Sequence, residues 1–157
     1  MKIVLIVAGK TNVSYIKVGI EEYLGRLKNY CQFELKEIPE IKAAKHLSQD
    51  EIKKKEEALF LSSIDKNDKV ILLDEKGKLI SSVEFSDFLQ KSMLENCKKL
   101  VFLIGGPYGF SENLHERANG KISLSKMTFT HQMVRIIFLE QLYRAYTILN
   151  GEPYHHQ

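Results

Sequence analysis

Lys99-Leu-Val-Phe-Leu-Ile-Gly-Gly-Pro-Tyr-Gly109 joins an unbroken apolar run to a glycine-rich turn. A strand apolar at every position, rather than at alternate ones, is covered on both faces, as in a parallel sheet. Two further runs share this character, Ile3 to Val7 and Lys69 to Asp74, the second turned at Lys76-Gly77. Helical stretches separate them. Thr11 or Asn12 can cap a helix to about Asn29, and Ser48-Gln-Asp-Glu51 forms a capping-box pattern before a helix to about Ser62. Another runs from about Val83 to Glu95. Phe33 to Ile38, ended by Pro39, suits a more exposed edge strand. A short helix (Glu112 to Arg117), a short strand (Ile122 to Leu124) and a long helix (His131 to Leu149) complete the order. Strands alternating with helices predict an α/β fold, a mainly parallel sheet with helices on both faces.

The 157 residues suit a single domain over 1–157, with no repeat, linker or low-complexity segment. No stretch approaches the roughly 20 apolar residues of a membrane span, and the first apolar run is too short for a signal-peptide core. A cytoplasmic protein is expected. Cys31 and Cys97 stand far apart without metal-ligand spacing, so both are expected to be small buried hydrophobes.

Charge is distributed unevenly. The formal net charge is +3, yet residues 1–97 carry 16 basic and 16 acidic side chains. The last 60 residues hold 7 basic and 4 acidic ones, and with them His115, His131, His155 and His156. That end is expected to form the contact surface. The run Lys53-Lys54-Lys55-Glu56-Glu57 is expected to be a solvated helix face.

Gly105-Gly106-Pro107-Tyr108-Gly109 sits where open α/β sheets bind ligands, at the carboxyl end of a strand. It is neither a P-loop nor a dinucleotide fingerprint, since no GK[ST] follows and position 104 is Ile. Spacing alone leaves a tight turn and a ligand loop equally open. In Ile122 to His131, Ser and Thr crowd the entrance to the long helix, with Thr128 or Thr130 as expected N-cap. That helix is apolar nearly all round and must be buried, which points to a homodimer. Arg135 and Arg144 fall on its opposite sides. Each could pair with Glu140 or Glu152, or mark a phosphate site. The tail from Asn150 to Gln157 carries Tyr154, His155 and His156, and is expected to fold over a ligand. Adjacent histidines alone are a weak metal site, so no metal is expected.

Leu103 to Phe110, Leu124 to His131 with Arg135, and Gln141 to Tyr146 with Pro153-Tyr-His155 together resemble the RlmH family of bacterial SPOUT-class methyltransferases. The likeness runs the full length of the chain. Tyr108 stands where other members carry different residues. The resemblance implies a C-terminal trefoil knot, a rare exception to unthreaded chains, and a knot-mediated homodimer. It implies methyl transfer from S-adenosylmethionine to N3 of a pseudouridine in 23S rRNA, on the assembled ribosome. Cofactor contacts would come from Leu73, Gly105, Gly106, Leu124, Ser125, Lys126, Met127, Thr128 and Phe129. His131, Arg144, Tyr154 and His155 would serve catalysis, and Arg135 would position RNA phosphate or the dimer. Two rival classes are a non-catalytic ribosome- or RNA-binding factor and a small hydrolase. The second lacks any GxSxG nucleophile context.

Overall fold

The computed structural model describes residues 1–42 and 44–156. Five strands, β1 (Lys2–Ala8), β2 (Gln32–Ile38), β3 (Lys69–Leu79), β4 (Lys99–Ile104) and β5 (Gly120–Ser123), form one sheet. Its order is β2-β1-β4-β3-β5, and every pairing is parallel. The two most apolar strands, β1 and β4, lie inside it, and the alternating β2 is an edge. Successive side chains of a strand point to opposite faces. Ile3, Leu5 and Val7 with Leu100, Phe102 and Ile104 therefore pack under α1 (Ser14–Leu27), α3 (Ser82–Leu94) and α5 (Met133–Leu149). Val4, Ile6, Val101 and Leu103 pack on the other face, under α2 (Gln49–Leu61) and α4 (Glu112–Arg117). Helices on both faces of a parallel sheet are what the apolar runs predict.

Several local expectations are corrected. β3 does not turn at Lys76-Gly77. It continues to Leu79, with a register shift against β5 between Leu73 and Lys78. Gly77 is needed for a close approach instead, because a Cβ there would lie 2.7 Å from backbone atoms of Ile122. Helix α1 starts at Ser14 behind Val13, without a side-chain cap. Helix α2 keeps its capping box, with Ser48 Oγ accepting from Glu51 N and Glu51 Oε2 accepting from Ser48 N. Gln132, not a threonine, precedes α5, although Met133 N donates to Thr130 Oγ1 at 3.1 Å.

Helix α5 has no exposed residue within the single chain. Most of its apolar residues pack on the sheet, α1 and α3, whereas Met133, Ile137 and Ile148 are only partly buried and lie outside both core clusters. Cys31 and Cys97 are free and only half buried, at the margin of the core. No helix among the described residues is long and apolar enough to cross a membrane.

Candidate active site

A cavity of about 620 Å³ opens at the carboxyl ends of β3, β4 and β5. Three segments build it: residues 73–76 running along β3, residues 104–110 after β4, and residues 122–129 after β5. Leu73, Ile104, Ile122, Leu124 and Val134 supply an apolar wall. Gly105 and Gly106 leave backbone bare where a Cβ would crowd its neighbours. A Cβ on Gly105 would press on Phe110 at 3.3 Å, and one on Gly106 would lie 2.4 Å from Glu56 Oε1. The turn closes with Gly109 N donating to Gly106 O at 3.1 Å, and Gly109 has φ +75°. It is thus a tight turn and a cavity wall at once.

Every residue expected to hold a cofactor lines this cavity except Lys126. Lys126 is exposed on a bend between Ser125, whose carbonyl accepts from Ser123 Oγ, and Met127, whose amide donates to Ser125 Oγ. His131 also lines the cavity. Its pKa is pushed below the usual 6.5, first by burial and then by the Arg135 charge, with Glu40 opposing.

The remaining expected catalytic residues lie elsewhere. Eleven residues of helix separate Met133 from Arg144, a rise of about 16 Å. There Arg144 Nε donates to Glu140 Oε1 at 2.9 Å, and its guanidinium stacks 4.7 Å over the Tyr154 ring. His155 Nδ1 is 3.4 Å from Arg144 Nη1, and Tyr154 Oη donates to Glu140 Oε1 at 3.4 Å. The tail is secured by Tyr30 Oη, which donates to Glu152 Oε2 at 2.6 Å. So Arg144, Tyr154 and His155 form one cluster, remote from the cavity of the same chain.

Arg135 is corrected outright. It is fully buried (0% exposed), and its guanidinium donates to His131 O, Thr11 Oγ1 and Ala8 O at 2.7–3.0 Å. Glu37 lies 3.8 Å away. A side chain with no surface cannot meet RNA phosphate. Of the other carboxyl-terminal cations, Lys98, Lys121 and Lys126 are exposed without an ion pair among the described residues, and three are engaged. Lys99 pairs with Asp65 and Asp68, Arg117 donates to the carbonyls of Asp65 and Asp68, and Arg144 pairs with Glu140.

Sequence patterning missed Glu56. It lies half buried on α2, where Gly106 N donates to its Oε2 at 3.3 Å. Burial lifts its carboxyl above the usual glutamate range, and the Gly106 amide partly offsets that. Gln49 and Lys53 of the same helix line the cavity, and spacings of four and three place all three residues on one face. That helical spacing was the available signal. Glu56→Ala is expected to weaken cofactor binding about tenfold, the scale of one lost hydrogen bond. Glu56→Gln, which keeps an acceptor, should bind nearly as the wild type in the same titration calorimetry. Equal affinity for Ala and wild type would show that the strut does not order the turn.

The cavity also has an unfulfilled polar atom. His115 lines it, its Nε2 is 3.9 Å from Asp74 Oδ2, and its Nδ1 is buried without a hydrogen-bond partner. Asp74, Glu75 and Glu112 make much of the polar lining acidic, with Lys53 and Lys76 as its only lysines. This donor set is poor for phosphate. It suits a ligand with an apolar ring, polar edges and a cationic centre. Among the described residues no group of three His, Cys, Asp or Glu could hold a metal ion.

Residues 1–155 match the family model described as predicted SPOUT methyltransferase. Curated relatives named ribosomal RNA large subunit methyltransferase H include proteins of Parabacteroides distasonis and Flavobacterium johnsoniae, each 55% identical over 157 residues. The Bacteroides thetaiotaomicron protein of that name is 50% identical over the same length. In all three, 100% of both chains is aligned. A cavity built on a glycine turn beyond a parallel sheet, together with these end-to-end matches, places the chain in the SPOUT methyltransferase family.

Proposed function

We propose that this chain transfers a methyl group from S-adenosylmethionine to N3 of a pseudouridine in 23S rRNA on the assembled ribosome. It would do so in the cytoplasm, as one domain spanning 1–157 with a C-terminal knot, and as a homodimer. The observation that carries this is the cavity of about 620 Å³ with its bare Gly105-Gly106 backbone and acidic lining. Relatives matched over their whole length are named for large-subunit rRNA methylation.

The cofactor, when bound, supplies a methyl already activated on a sulfonium. The protein must then align nucleophile and methyl and remove the N3 proton. Leu73 and Leu124 would flank the adenosine, and the amides of the glycine turn would meet its polar edges. Asp74 and Glu75 would offset positive charge. His131, kept neutral by burial and by Arg135, can accept the N3 proton. Arg144, Tyr154 and His155 cannot join it within one chain, so the partner protomer's cluster would close the site. Arg144 would then stabilise charge developing on the base.

If His131 is the base, single-turnover methylation should rise with pH along a limb centred below 6.5 and level off by neutrality. His131→Ala should lose that limb and about 10²–10⁴ in rate. An unchanged profile in the variant would remove His131 from proton transfer. Comparing 23S rRNA nucleoside masses from a wild-type strain and one lacking the gene tests the whole proposal. Loss of one monomethylated pseudouridine is expected, and an unchanged pattern would overturn it.

A further inference from the structure

We infer that Glu140 is a positioning residue for methyl transfer, the carboxylate that aims Arg144 and fastens the tail carrying Tyr154 and His155. The inference rests on the reaction proposed above, in which those three residues close the partner protomer's site.

A Glu–Arg pair four residues apart on a helix is ordinarily a minor surface support. This one is built differently. Both side chains are mostly buried, that of Glu140 being 20% and that of Arg144 25% exposed. Three donors converge on one oxygen. Glu140 Oε1 accepts from Arg144 Nε at 2.9 Å, from Arg144 Nη2, and from Tyr154 Oη at 3.4 Å. The other oxygen is anchored separately. Glu140 Oε2 accepts from Gln141 Nε2 at 2.6 Å, and Gln141 Oε1 accepts from the hydroxyl of Ser82, the first residue of α3, at 2.6 Å. The carboxylate is thus oriented from α3, which a plain helix pair does not require.

A guanidinium carries its five N–H donors in one rigid plane. Glu140 occupies the edge made by Nε and Nη2, so Nη1 is the nitrogen left to other partners, and it stands 3.4 Å from His155 Nδ1. The Tyr154 ring lies 4.7 Å from Arg144 Cζ and is itself packed edge-on by Tyr143 at 4.8 Å. Glu140 therefore selects which donor of Arg144 is offered, together with His155, to a substrate. Carboxylates also pin the tail on both sides of Pro153, Glu152 through Tyr30 and Glu140 through Tyr154. A donor preorganised toward developing charge needs no rearrangement during the reaction, and a misplacement of about 1 Å costs on the order of 10²-fold in rate. The charge of Glu140 by itself opposes that of Arg144. If damping Arg144 were its main effect, removing Glu140 would speed the reaction, whereas positioning predicts the opposite sign.

The test is a double-mutant cycle in single-turnover methylation of ribosomes from a strain lacking the gene. Glu140→Ala should slow transfer by about 10–10²-fold, and Glu140→Gln, which keeps one acceptor, should lose less. S-adenosylmethionine affinity and the ribosome concentration for half-maximal rate should stay near wild type. Glu140→Ala/Arg144→Ala should be no slower than Arg144→Ala alone, because a residue acting through Arg144 has nothing left to position. Losses that multiply in the double variant, or a faster Glu140→Ala, would overturn the inference. Gln141→Ala leaves the Glu140 charge in place and removes its second anchor. It should slow transfer several-fold with no further loss in the Arg144→Ala background, and it serves as the same test if Glu140→Ala does not fold. Hydrogen exchange of the Tyr154 and His155 amides gives a readout independent of turnover. It should quicken in Glu140→Ala, and unchanged exchange would overturn the fastening of the tail. If wild type transfers no methyl group, the proposed reaction fails and Glu140 is judged on exchange alone.

Discussion

Arg144→Ala is expected to slow single-turnover methyl transfer by about 10²–10³-fold, the scale of removing one charge-stabilising donor from a transition state. S-adenosylmethionine affinity should barely change, because the proposed role of Arg144 is toward charge developing on the base and not toward the cofactor. The decisive form of the experiment uses mixed dimers. One protomer carries Arg144→Ala and the other Gly106→Val, which puts a branched side chain on the cavity wall and displaces the end of the Glu56 side chain. If each site combines one chain's cavity with the other chain's Arg144, Tyr154 and His155, one of the two sites in a mixed dimer is intact. Such dimers should recover about half the wild-type rate, although both parent variants are nearly inactive. If a site were complete within one chain, every site would carry a defect and no activity would return.

Arg135→Met should cost about 3–5 kcal/mol of stability, as expected when one partner of a buried polar network is removed. Thr11 Oγ1 and Ala8 O would lose their donors, and Glu37 would lose its nearest cation. For a chain of this size that lowers Tm by about 10 °C or more, measured by circular dichroism. Arg135→Lys should recover only part, since a single ammonium cannot reproduce three differently directed N–H donors. A Tm within about 2 °C of wild type for Arg135→Met would show that the network is dispensable.

Local patterning revealed much of the architecture. Apolar runs located β1 and β4, alternation marked β2 as an edge, and Ser48 with Glu51 announced the start of α2. The continuation of β3 through Gly77 was hidden, because glycine marks a turn and a close backbone approach equally well. At the site, the Leu73, Gly105-Gly106 and Leu124–Phe129 segments were legible through the family resemblance alone, and all but Lys126 line one cavity. Glu56 was not, because a glutamate in a charged run looks solvated until a glycine turn is found packed against it.

By itself the sequence determined most of the strands, the faces they bury and the glycine turn at the carboxyl edge, and its motifs resembled one family. The strands, faces and turn follow from periodicity and residue type, which act over a few neighbours along the chain. Only the tertiary structure decided which charges are available. It put Arg135 in the core, joined Lys99 to Asp68, and left Lys10, Lys42 and Lys45 in water. Whether a charge is solvated or paired depends on neighbours brought close across the fold, 124 residues apart for Arg135 and Thr11. Net charge counted along the chain contains none of that information.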